Sequence, residues 1–395
     1  MRPNILLILA TQWRAQACGY AGDPAARTPF LDALSLAAVN FRQAVTPHPF
    51  GPFARAALLT GVESPANGVR DYFDALPADA RTVAHAVRER SYRTFFFGKW
   101  HLFERDPDAA LTGDDHARIV IPPGRRGGFD FFEGFESGFL LNDPWLHGTR
   151  LPEPVRFPGY QSDVLCARAA GLLGREKGPW FAVVSLEAPH PPYREPAPGV
   201  ARRDAASVPL RRNVPPAAAQ RAGRDLAGYY AHVEATDRAI GRLVAALPHD
   251  TAVILTSVHG DMHGSHGLFR KGWPHEESVR VPLLVAGLGR RGADDSAVSL
   301  SDIPGLVGAL ADGVPWAAPR PHARISMPSV VALPDQCDRA WAGVRTRDRK
   351  LVLGPDGVPW LHFDLSEDPL EERNLAGDPS RAAEAAELAA LVSPR

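Results

Sequence analysis

Cysteine is scarce in this chain: Cys18, Cys166 and Cys337 are scattered along it. That excludes a disulfide framework and a cysteine metal cluster, and it predicts a reducing, cytoplasmic setting. Long apolar runs are also missing; the longest, Ile5 to Ala10, is far too short to cross a bilayer. Met1-Arg2-Pro3-Asn4 leads straight into that run, without the length or cleavage site of a signal peptide. Nor is there an excess of either charge: 44 Lys plus Arg against 45 Asp plus Glu give a formal net charge of −1. Binding of nucleic acid or of a membrane by the whole surface is thereby excluded, while a local basic pocket stays open. Lysine is the scarcest cation, with only Lys99, Lys177, Lys271 and Lys350. Where arginine serves everywhere else, a retained ammonium points to a tight anion site, which a planar guanidinium fits differently.

What the chain does have is a core. Its 395 residues are 45% apolar and 23% charged, enough for one large domain or two ordinary ones. Asn4–Ala10, Arg93–Phe97, Trp180–Leu186, Thr251–Ser257 and Val281–Ala286 read as buried strands. Helical patterns at Arg55–Leu59, Arg81–Glu89 and Leu226–Leu247 alternate with them. The alternation predicts an α/β fold with a mainly parallel central sheet flanked by helices. Trp341–Thr346, Arg349–Leu353 and Trp360–Asp364 read instead as a small antiparallel sheet, followed by a helix over Pro379–Leu391. The expected division is 1–325 for the α/β domain and 326–395 for a C-terminal α+β subdomain. Ala197–Arg224, rich in proline, alanine and arginine, reads as a long surface loop or lid.

Candidate site residues fall at predicted strand ends: Thr11 and Gln12, then Lys99 and His101, then His190, then His259 and Asp261. Ligands of open α/β sheets bind outside the carboxyl ends of the strands, so this distribution marks one crevice.

These segments carry a resemblance to the sulfatases of the alkaline phosphatase superfamily. Arg55-Ala56-Ala57-Leu58-Leu59-Thr60-Gly61 is similar to the second half of the sulfatase signature. Gly98-Lys99-Trp100-His101 and Ala188-Pro189-His190-Pro191-Pro192-Tyr193 resemble two further family motifs. Thr28-Pro29-Phe30-Leu31-Asp32 and the tail Phe363-Asp364-Leu365 through Asn374-Leu375 extend the likeness from end to end. The resemblance implies that Lys99, His101, His190 and Lys271 contact sulfate, with Arg55, Thr11 and Gln12 in the same site.

The departures matter as much. The family carries a cysteine, converted to formylglycine, four residues before the signature arginine; here that residue is Gly51, and Phe50–Ala54 holds no Cys, Ser or Thr. The family's calcium or magnesium carboxylates are replaced by Thr11, Gln12 and Val258. The expectation is therefore a site without metal or cofactor that binds a sulfate ester and promotes loss of sulfate by C–O cleavage. Intramolecular amine displacement to an aziridine, or elimination, would do this in small-molecule biosynthesis. His259, His48 and His263 are the candidate bases. The expected partner is a sulfated small molecule, free or carried on a protein, with a partner subunit as a further expectation. A non-catalytic pseudo-sulfatase scaffold and a formylglycine-independent sulfate or phosphate ester hydrolase are the alternatives.

Overall fold

The computed structural model describes residues 2–392. β1 (Ile5–Ala10), β2 (Val39–Phe41), β3 (Arg93–Lys99), β4 (Phe131–Phe135) and β5 (Trp145–Gly148) belong to one sheet. So do β6 (Val155–Arg156), β7 (Trp180–Ser185), β8 (Ala252–Ser257), β9 (Leu283–Ala286) and β10 (Gly292–Asp294). The strand order is β10-β2-β9-β8-β1-β7-β3-β4-β5-β6. The central run from β8 to β4 is parallel. Beyond it, β9, β5 and β6 run antiparallel to their inner neighbours. β1 pairs with β7 on one side and β8 on the other, so chain crossovers diverge there and open a crevice at the strands' carboxyl ends.

β1 explains itself. Ile5, Leu7 and Leu9 enter one apolar cluster; Leu6, Ile8 and Ala10 enter the other. A strand buried on both faces must be apolar throughout, which is why it reads as a continuous run. The helices Gly51–Thr60, Val83–Arg88 and Ile303–Asp312 contribute to the first cluster. Pro29–Ala37, Gln161–Leu173 and Pro216–Ala245 contribute to the second. Among the described residues no helix is long and apolar enough to cross a membrane.

The second sheet is antiparallel: β11 (His322–Met327), β12 (Trp341–Thr346), β13 (Arg349–Leu353) and β14 (Pro359–Asp364). Helix Ala382–Val392 packs Leu388 on Val344 and Leu351 of one face. Ile325, Met327, Val352 and Phe363 join the main core. The expected boundary between 325 and 326 thus falls inside β11. A second expectation also changes: residues 216–224 are the first turns of the long helix Pro216–Ala245. Proline in its first turn and the alanines after it favour that outcome, against the loop reading.

Lys350 of β13 ties the second sheet to the segment that joins β8 and β9 of the first. Its fully buried Nζ lies 2.8 Å from Oε1 of Glu276 and 2.6 Å from Oε1 of Glu371, and it donates to the Pro274 carbonyl at 2.9 Å. Arg345 reaches the other oxygen of Glu276 at 3.1 Å. Removing the ammonium leaves buried carboxylates facing each other. Lys350→Ala is expected to cost about 3–5 kcal/mol of stability, read by urea denaturation; a loss below ~1 kcal/mol would show that the tie is not holding the sheets together.

Candidate active site

The carboxyl ends of β1, β3, β7 and β8 open on a cavity of about 500 Å³. Thr11, Lys99, His101, His190, His259 and Lys271 line its polar part. Helix Gly51–Thr60 starts at its wall, since Phe50 and Gly51 also line it. Unpaired N–H groups and the positive end of the helix dipole favour an anion there. Gly98 sets the position of Lys99. Its φ is +98°, and a Cβ would stand 2.0 Å from the Ser185 carbonyl oxygen, so only glycine lets β3 approach β7 this closely.

Two buried ammonium groups dominate the cavity. Lys99 Nζ donates to Oε1 of Glu187 at 2.8 Å and lies 4.4 Å from the centroid of Phe139. Burial, reinforced by Arg55, lowers Lys99 to about 8 against the pull of Glu187. Lys271 Nζ donates to Oε1 of Gln12 at 2.9 Å and to Nε2 of His190 at 2.8 Å. Burial and the charge of Lys99 lower Lys271 to about 7.

The cavity histidines are neutral, because burial and the cations around them hold all three well below the usual imidazole range. His190 donates from Nδ1 to the Pro191 carbonyl at 2.7 Å, so Nε2 is the acceptor for Lys271. His259 donates from Nδ1 to the Gly260 carbonyl at 2.9 Å, and its Nε2 is buried without a partner. That hydrogen bond fixes the tautomer and leaves a lone pair at Nε2. His101 has neither ring nitrogen bonded.

Four predicted residues do not line the cavity. Arg55 lies behind it, donating to the Lys99 carbonyl at 3.1 Å, Ser185 Oγ at 2.6 Å and Thr11 Oγ1 at 2.8 Å. Gln12 is a bracket that donates to Asp261 and to the Tyr193 hydroxyl while accepting from Lys271. Neither lines the cavity as a sulfate contact would: Arg55 holds the Lys99 backbone from behind, and Gln12 holds the Lys271 ammonium. His48 is no base: it accepts at Nε2 from the Ser64 N–H at 2.9 Å, and Nδ1 meets Ser326, so both nitrogens are committed to structure. Burial lowers it to about 4. His263 is packed against Tyr229 and Tyr193, away from the cavity, and burial lowers it to about 3. Glu104, Asp143 and Arg156 form surface ion pairs, and Arg105 is buried beside Glu136 at 3.6 Å.

Sequence reasoning missed Glu187, Phe139 and the Leu333–Gln336 wall contributed by the β11–β12 connection. Glu187 had a signal, a carboxylate just past the end of β7. Phe139 had none; its ring stacks on His190 with centroids 4.5 Å apart.

The family's divalent cation does not fit this donor set. Thr11 Oγ1 donates to the Leu186 carbonyl and accepts from Arg55, and Gln12 Oε1 accepts from Lys271. Val258 offers no ligand, and Asp261 is spent on Gln12, Tyr193 and two backbone N–H groups. Hard cations need free oxygen ligands, and here two fixed cations occupy them.

Comparison with known proteins finds similarity along most of the chain. The family model Sulfatase matches residues 3–313. An ulvan-active sulfatase of Formosa agariphila is 33% identical over 419 residues, covering 96% of this chain and 78% of its own. The multifunctional alkaline phosphatase superfamily protein PehA of Trinickia caryophylli is 28% identical over 480 residues, with 97% and 93% covered. A structure solved in work on glycosaminoglycan metabolism by Bacteroides thetaiotaomicron superposes with a TM-score of 0.84 at 22% identity, over 98% of this chain and 94% of that one; it speaks for the fold.

The lysines make anion binding depend on pH. A bound dianion favours the charged ammonium and raises both pKa values. Sulfate affinity should therefore fall as pH rises through about 7 to 8, and binding at pH values near 8 should take up protons. Calorimetry in buffers of different ionisation enthalpy measures that uptake; proton release, or affinity flat across this window, would contradict it.

Proposed function

The chain belongs to the sulfatase family, and from that premise we propose that it binds a sulfate ester in its cation-lined cavity and promotes loss of sulfate by C–O cleavage. The family membership supports the sulfate ester. The observation that carries the reaction type is Gly51. It stands at the nucleophile's position with no side chain, while Lys99, Lys271 and the helix N-terminus keep their place around the cavity.

In this reading sulfate is the leaving group. The C–O bonding pair departs with it, and the growing charge on its oxygens is met by the two ammonium groups and the helix N-terminus. A neighbouring amine of the substrate supplies its lone pair to carbon and closes an aziridine, and its proton passes to Nε2 of His259. Alternatively His259 takes a β-proton and the electrons of that C–H bond form an alkene. His259 lines the cavity, and its Nε2 is unbonded and carries the lone pair; the negative charge of a bound sulfate raises its basicity from the low value that burial and Lys271 impose. Holding amine and carbon in one conformer supplies proximity. The three cysteines are free and buried, which supports a reducing, cytoplasmic setting.

The test uses 2-aminoethyl hydrogen sulfate in 18O-water with chelator present. The expected products are aziridine and sulfate free of solvent label, with His259→Ala slower by about 100-fold. Label in the released sulfate would show attack at sulfur, as the hydrolase alternative requires. Saturable binding without turnover would favour the scaffold alternative.

A further inference from the structure

Gly51 and His101 compete for one space. A Cβ on Gly51 would stand 2.8 Å from Nδ1 of His101 and 2.9 Å from its Cε1. Gly51 does not have positive φ, so alanine fits its backbone and the ring is the only obstacle. The ring is confined from other sides as well. It meets Tyr72 edge-on at 5.8 Å and Phe139 at 6.4 Å between centroids. Its backbone N–H donates to the Glu136 carbonyl at 2.9 Å, and its φ is +60°, a conformation uncommon outside glycine. Both ring nitrogens are buried without partners at the cavity wall. A buried polar ring with nothing to bond is costly unless a ligand completes it.

We propose that the His101 ring takes the place of a residue-51 side chain, giving a bound sulfate an imidazole N–H and closing the approach to its sulfur. The inference rests on the sulfate-ester reading above and deepens it. In-line attack on sulfur needs room for a nucleophile opposite the ester oxygen. An anion held by Lys99, Lys271 and the helix N-terminus has the His101 ring on its Gly51 side, where that room would be. The shield leaves the carbon–oxygen bond as the one that breaks. The glycine is then part of the device, because a Cβ at 51 would displace the ring from the position it holds in this chain.

A double-mutant cycle on inorganic sulfate affinity tests this, with thermal melts confirming the fold of each variant. Gly51→Ala and His101→Ala should each weaken binding by about tenfold, whereas Gly51→Ala in the His101→Ala background should change it by less than about twofold. His101→Asn, which keeps an N–H in a smaller volume, should retain binding and tolerate Gly51→Ala. Wild-type affinity in Gly51→Ala, or an equal loss in both backgrounds, would overturn the proposal. If the wild-type protein binds no sulfate at all, the sulfate-ester reading itself fails and this inference with it.

Discussion

Positive charge held out of water is the constraint on which this structure depends. Lys99 and Lys271 are nearly fully buried in one cavity, with Arg55 buried behind them. Bringing ammonium groups into a low-dielectric site is expensive unless each meets a partner. Glu187 answers Lys99 directly, while Asp261 reaches Lys271 only through Gln12. Both lysines still line the cavity, and in the proposed reading an arriving anion completes the arrangement. The close packing of β3 on β7 at Gly98, the bracket of Gln12 and the stack of Phe139 on His190 all serve to hold those ammonium groups in place.

The same constraint accounts for the departures from the family pattern. Where the family resemblance implies carboxylates around a divalent cation, this chain has Thr11, Gln12 and Val258, and Thr11 Oγ1 and Gln12 Oε1 accept from Arg55 and Lys271. In the proposed reading, fixed side-chain cations take up the task of meeting sulfate charge. The imidazole of His259 is tied at Nδ1 by a backbone carbonyl and unbonded at Nε2, the atom to which the proposal gives the role of base. Glycine at 51 and the ring of His101 fit together in the space where a nucleophile would stand. Each change makes sense in the presence of the others.

How much of this was legible in the sequence follows from what burial does to sequence. β1, β7 and β8 are apolar throughout because both faces are covered, and they were readable to within a residue or two. The edge strands Val39–Phe41 and Gly292–Asp294 are three residues long and carry no such pattern. The strand ends led to Lys99, His101, His190 and His259, and the family resemblance added Lys271; the structure gathers all five around one cavity. His48 misled because its neighbours in sequence reach the cavity while its own ring turns to Ser326 of β11, a contact between residues far apart in the chain. His263 misled in the same way: Asp261 lies near the site, but two residues on the chain has turned toward Tyr229 of helix Pro216–Ala245 and Tyr193 after β7. Phe139 lies in no motif, and only the fold brings it over Lys99.

The central claim is that side-chain cations alone make the anion site. Chelator-treated protein titrated with inorganic sulfate, before and after addition of excess calcium chloride, tests it most directly. The account predicts saturable binding in chelator, unchanged by calcium and abolished in Lys99→Ala. Binding that appears only once calcium is added would contradict it.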